Sequence, residues 1–373
     1  MERLAGARRD PEQARKPRIA HAPGLTRRAQ INRSGWQERC LDLLANPTAG
    51  LPRWLKPSRA LNQEFPSSEE PALFARFGEE VRKLQGRAAG RGTPHRALHA
   101  KSLGFLQGEL EILEDLPQEA RHGFLARPGT YRAEIRFSNA AATFQRDAKK
   151  DFRGAAVRLH GLGEQGDQSQ DLVMTNKPRG TAKDARAFLH LIQSSQRGAL
   201  PMARFALRHP LTLALLLWQR HEVRSLAAET FWSGGPIRMG ADRMVKYFIR
   251  PSRPIEAFPV PQDATDDYLT QELASRVESG AIEYGFYLQF QADPHKTPVE
   301  NALAEWKEED SPPVRVARLR IPVQRFDTPE RRRAGDQMEF NPWNCLPENE
   351  PVGQLNRARK AVYPQSQAGR RGE

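Results

Sequence analysis

Tyr131-Arg132-Ala133-Glu134-Ile135-Arg136-Phe137-Ser138 alternates at a period of two. Tyr131, Ala133, Ile135 and Phe137 fall on one face, and Arg132, Glu134, Arg136 and Ser138 on the other, the pattern of a strand with one buried side. Ile282–Phe290 repeats it, with Ile282, Tyr284, Phe286, Leu288 and Phe290 on one face. Val314–Ile321 is a third strand, with Ala317, Leu319 and Ile321 together. Pro128-Gly129 and Ser279-Gly280 supply turn signals. Helical spacing appears in Leu73, Phe74, Phe77, Val81 and Leu84, with Ser67 or Ser68 as N-cap, Pro71 in the first turn and Gly86 as C-cap. Further helices are expected over 183–195, 203–228 and 299–308. Strands first and last, with helices between, argue an α+β fold with a mostly antiparallel sheet.

The chain has 373 residues, 38% hydrophobic and 28% charged, enough for one large or two smaller domains. Its longest apolar patch, Leu211 to Trp218, is too short to span a bilayer and reads as a partly buried helix. The formal net charge is +13. Residues 1–35 carry nine Lys or Arg against three Asp or Glu, and residues 354–373 carry five against one. Both ends therefore read as solvated basic arms. No aromatic residue precedes Trp36, so no base-stacking platform accompanies the first arm, and no nucleic-acid partner is expected. Cys40 and Cys345 lack C-x-x-C spacing, so neither a disulfide framework nor a structural zinc site is expected. The first residues lack an apolar signal core, and a cytoplasmic location is the expectation.

Four short segments carry chemistry. Arg96 and His99 stand three apart in Arg96-Ala97-Leu98-His99-Ala100-Lys101. Arg136 and Ser138 share a strand face. Asp151-Phe152-Arg153-Gly154 is followed by Asp171-Leu172-Val173-Met174-Thr175-Asn176-Lys177-Pro178. Arg359 and Tyr363 are four apart and share a face of any helix, which Pro351 would open and Pro364 would stop.

In this order the segments resemble the haem-dependent catalase family, most of all its small catalase-related peroxidases. The resemblance covers about residues 93–365. It implies a catalase-like antiparallel β-barrel with surrounding helices. It divides the chain into a basic arm (1–35), a helical segment (36–92), the barrel with inserted helices (93–340) and a C-terminal segment with the tyrosine helix (341–373). Gly104-Phe105 would form a turn before a strand over 106–112. It implies haem b as cofactor, with Tyr363 as its iron ligand, Arg359 beside that phenolate, and Arg96, Arg136 and Ser138 around the haem. His99 would be the distal acid–base residue and Asn176 the distal hydrogen-bond donor. The family usually has two adjacent aromatic residues after the Pro, where this chain has Arg179-Gly180-Thr181; a more open pocket and a bias to peroxidase chemistry are expected. Peroxide and a small-molecule electron donor are the implied partners, and a homo-oligomer is compatible with the chain.

Three other readings stay open. A hydroperoxide-rearranging enzyme of the allene oxide synthase type shares the Arg-x-x-x-Tyr pattern but has a Thr where Leu98 stands. A non-haem metal site would use His95 and His99, and would need a third ligand. A catalase-like scaffold could bind haem with little turnover.

Overall fold

The computed structural model describes residues 44–46, 60–89 and 96–371. The basic arm over 1–35, Trp36, Cys40 and His95 lie outside these residues.

Nine strands form one antiparallel sheet: β1 (Ser102–Ile112), β2 (Gly129–Asn139), β3 (Arg153–Leu162), β4 (Gln168–Thr175), β5 (Phe231–Ser233), β6 (Ile237–Met239), β7 (Arg243–Pro251), β8 (Ile282–Phe290) and β9 (Val314–Ile321). The order is β5-β4-β3-β2-β1-β9-β8-β7-β6. Phe231 and Trp232 of β5 also pair with Ile249 and Phe248 of β7, which closes eight of the strands into a barrel and leaves β6 outside the ring. Closure removes the exposed edges of the ring strands.

The period-two stretches are strands in the expected places. In β2 the side chains of Ala133, Ile135 and Phe137 are fully buried, and Phe137 packs on Phe231 at 5.5 Å between ring centroids. Burying an Ile or Phe contributes roughly 1.5–3 kcal/mol each, so this face locks the register. That register sets Ser138 opposite Gly154 of β3, and Gly154 opposite Thr175 of β4. Gly104-Phe105 is not a turn. It lies inside β1, where an irregularity between Ser102 and Gly104 absorbs the bend, because Phe105 and Leu106 gain burial in the sheet.

Seven α-helices surround the barrel among the described residues: α1 (Glu70–Ala89), α2 (Ala185–Arg197), α3 (Ala199–Arg208), α4 (Pro210–Trp218), α5 (Tyr268–Ser279), α6 (Pro329–Gln337) and α7 (Gln354–Arg371). Several differ from the sequence expectation. Gly86 does not cap α1, which runs past it; one exposed Gly costs a helix about 1 kcal/mol, and the apolar seam of α1 with α2 and α7 outweighs that. The expected helix over 203–228 is broken at His209, because Pro210 cannot donate to the preceding turn and instead begins α4. Residues 299–308 form turns, not a helix; Asn301 caps its own loop by accepting from Leu303 N.

The C-terminal basic segment is no solvated arm. It is α7, and it continues through Pro364 to Arg371. Arg357 is clamped by Glu64, Glu70 and Glu300. Gln365 sits against Gly78 of α1, where a Cβ would lie 2.3 Å from its amide oxygen. Gln85 donates to the Ser366 carbonyl at 3.1 Å. These contacts with α1 offset the hydrogen bond that Pro364 removes.

Candidate active site

A cavity enclosing about 1500 Å³ of unfilled space, its mouth included, opens between the outer face of β2–β4 and helix α7. The strand side supplies Arg136, Ser138, Gly154, Val173 and Thr175, with His99 from the loop before β1. Helix α7 supplies Leu355, Arg359, Val362, Tyr363 and Arg370. Phe77 and Val81 of α1, with Phe188 and Ile192 of α2, add an apolar flank.

His99 is held in a conformation that a non-glycine residue seldom adopts, with φ of 56°. Its amide donates to Ala140 O at 3.1 Å, and its own carbonyl accepts from Arg136 at 3.1 Å. The Nδ1 atom lies 3.0 Å from Ser138 Oγ. Nε2 keeps no partner among the described residues. Gly154 makes this fit: a Cβ there would stand 2.5 Å from His99 Nδ1 and 2.8 Å from Ser138 Oγ. Burial, reinforced by the charge of Arg136 and then Lys177, drives the imidazole down to about 3, so it is neutral across the ordinary pH range.

Tyr363 lies one turn after Arg359 and faces the same cavity. Its hydroxyl has no hydrogen-bond partner among the described residues. Arg359 donates to Asn356 Oδ1 at 3.0 Å, and its guanidinium passes over Gly234, where a Cβ would come within 2.7 Å. Two anchors place α7. Arg357 forms the ion-pair cluster with α1, and Asp171 of β4 ties the approach to the helix. Asp171 accepts a bidentate pair from Arg158, both at 2.6 Å, and further bonds from Asn341 N and Asn344 Nδ2.

Arg96, Arg136 and Arg370 all line the cavity. Arg96 donates to the carbonyls of Gly335, Asp336 and Met338 at the end of α6. Burial, then Arg136 and Arg370, presses Arg96 down to about 8, and burial takes Arg136 to about 10. A guanidinium keeps its proton under these conditions. The depression therefore marks a group of cations with too few anions, and the buried Arg136 Nε has no hydrogen-bond acceptor. Arg370 was not singled out by the sequence; it stands seven residues after Tyr363, two helical turns on, and that spacing was the available signal.

Asn176 is placed elsewhere. Its Oδ1 accepts from Arg153 N at 2.7 Å and its Nδ2 donates to Glu229 at 2.7 Å. Both ends of the amide are engaged, and the side chain does not reach the cavity. Strand alternation presents Thr175 there instead. Arg179 turns away too, onto Glu305 and the Leu303 carbonyl, which leaves Gly180 and Thr181 on the cavity wall. Among the described residues no cluster of three or more His, Cys, Asp or Glu could hold a metal ion. No described helix is long and apolar enough to cross a membrane.

The barrel and its neighbouring helices define the catalase fold. Solved structures share it: a bacterial catalase (TM-score 0.60, 19% identity), a fungal catalase (0.62, 18%) and catalase A from Saccharomyces cerevisiae (0.63, 17%). They match 86–87% of this chain, which spans only 64–69% of theirs. Residues 83–205 match the family model described as Catalase. A catalase-related peroxidase from Mycolicibacterium paratuberculosis is 28% identical over 296 residues, covering 73% of this chain and 87% of that protein. The chain therefore has the catalase fold, carries the Catalase family's sequence pattern over residues 83–205, and is similar to an oxidoreductase, a catalase-related peroxidase.

Proposed function

We propose that this protein is a haem-dependent peroxidase that reduces hydrogen peroxide or organic hydroperoxides at the expense of a small electron donor. One observation carries the reading: a neutral imidazole and an unpartnered tyrosine hydroxyl line one cavity together with three guanidiniums, of which, among the described residues, only Arg370 pairs with a carboxylate, that of Glu339. The cavity fits haem b on its own features. Arg96, Arg136 and Arg370 suit the two propionates, since guanidinium–carboxylate contacts are strong and often bidentate. The orphaned Arg136 Nε would gain an acceptor. Phe77, Val81, Phe188 and Ile192 suit an apolar macrocycle edge.

Haem would supply an iron that exchanges electrons with peroxide. Tyr363 would hold that iron through its phenol oxygen, as an electron-rich ligand. Arg359 brings a permanently charged guanidinium to the same helix face one turn away. His99, neutral and oriented by Ser138, takes the proton from one peroxide oxygen at Nε2 and returns it to the departing oxygen. Thr175, rather than Asn176, offers the hydroxyl that can hydrogen-bond the peroxide. Gly180 and Thr181 line the cavity where two aromatic residues are usual in the family, so the opening is wider and favours an organic donor over a second peroxide.

The test is to titrate the purified protein with haem and follow the Soret band, then add peroxide with and without a reducing donor. The expected outcome is one haem per chain and donor-dependent peroxide consumption. A protein that takes up no haem, or that consumes peroxide at the rate of free haem, contradicts the proposal.

A further inference from the structure

Lys177 lines the same cavity and has no part in the chemistry above. It is 4% exposed. Its ammonium donates to Thr181 Oγ1 at 3.0 Å and lies 3.9 Å from the centroid of the Phe152 ring. Among the described residues no carboxylate forms an ion pair with it. Asp151 is the acidic group whose field it feels, but Asp151 is committed elsewhere. It accepts from the amides of Ala140 and Ala141, at 3.1 and 3.0 Å, and from Gln145 at 2.8 Å. An ammonium removed from water without a counter-ion is costly to keep. One hydrogen bond and one aromatic face satisfy it only in part, since it has three donors. Lys177 is therefore a buried cation short of an anion. It also lies near the His99 imidazole, whose proton affinity it lowers more than any charge except Arg136.

Two hydroxyls accompany it on the cavity wall. Thr175 is the register partner of Gly154, the residue against which His99 packs. Thr181 already bonds the ammonium. We propose that Lys177, Thr175 and Thr181 form a binding site for a small monocarboxylate beside His99. One positive charge and two hydroxyl donors match a single charge spread over two oxygens. The site differs from the Arg96, Arg136 and Arg370 group, whose three cations suit a pair of carboxylates. A carboxylate bound at Lys177 would share the space above His99 with peroxide, and would compete with it.

The probe is acetate, measured by the melting temperature of the purified protein with and without added haem, with methyl acetate as the neutral control. Acetate is expected to stabilise the wild type in a saturable way, and methyl acetate is expected not to. K177Q should weaken acetate binding about 10- to 100-fold, the loss expected when one charge-assisted hydrogen bond goes. K177R should keep it within about threefold, and R132Q, which removes an exposed charge outside the cavity, should leave it unchanged. A second measurement needs no loss-of-charge variant. Burial and Arg220 lower the proton affinity of Lys177 to about 7 against the opposing field of Asp151, and His99 is already neutral there. Wild-type affinity should therefore fall about tenfold per pH unit above about 7, whereas K177R should bind independently of pH. Equal acetate binding by wild type and K177Q, a flat wild-type pH profile, or no saturable binding by wild type would each overturn the proposal. Melting reports on this site whether or not haem is taken up, so the outcome is separable from that of the haem titration.

Discussion

The two walls of the cavity are built by different physics. The strand wall sets its residues by sheet register. Ser138 and Gly154 are paired partners, as are Gly154 and Thr175, and His99 is bent into place against them with its carbonyl held by Arg136. The helix wall is tethered from afar. Arg357 reaches Glu70 and Glu64 across nearly the whole described chain, and Asp171 grips the approach segment. Register fixes atoms to within small displacements, while ion-pair tethers fix a whole helix. Substitutions on the strand wall should therefore change rate more than stability, and substitutions in the tethers should do the reverse.

The largest effect belongs to the strand wall. H99A should slow peroxide turnover by about 100- to 10,000-fold while haem stays bound. Stopped-flow kinetics on the haem-loaded variant checks this, and a rate within a few-fold of wild type would remove His99 from the chemistry. On the helix wall, R357M leaves three carboxylates facing one another without their cation. Breaking such a largely buried cluster costs about 3–5 kcal/mol, read by denaturant unfolding, and the turnover of the surviving folded fraction should stay near wild type. A fully stable R357M would show that α7 is held by packing alone. G154A probes the register. The added methyl meets His99 Nδ1 and Ser138 Oγ, so the imidazole must shift; a stability loss of roughly 1–3 kcal/mol should come with a rate loss out of proportion to it. The last effect is a slope, not a step. The unfolded chain protonates His99 below about pH 6.5, while the folded protein resists down to about 3. Stability should therefore fall as pH drops through that window, by roughly 1.4 kcal/mol per unit from this group. H99A should flatten that part of the profile.

What the sequence disclosed follows the same division. β2, β8 and β9 were legible because a half-buried strand writes its faces at period two, and His99 with Ser138 and Arg136 could be read from a motif and an alternation. α5 carried a readable stripe in Leu269, Leu273 and Val277 that the turn signals around it masked. α6 is so polar that only Gly335 is buried, and its signal was limited to Thr328 capping and Pro329. The C-terminal segment looked like a solvated tail because its partners, Glu64, Glu70 and Glu300, are distant in sequence. No local pattern announces an ion pair of that range. Asn176 follows the last residue of β4 and bonds Arg153 N and Glu229, so strand alternation brings Thr175 to the cavity, a position that residue type alone does not signal.

The proposed function rests on Tyr363 as the residue that would hold the iron of a bound haem. The most direct measurement is the absorbance spectrum of haem-loaded Y363F beside wild type and H99A. A phenolate ligand predicts that Y363F loses or displaces the Soret and charge-transfer bands, or loses haem, while H99A keeps the wild-type ferric spectrum. A Y363F spectrum indistinguishable from wild type, with full haem content, would contradict the account.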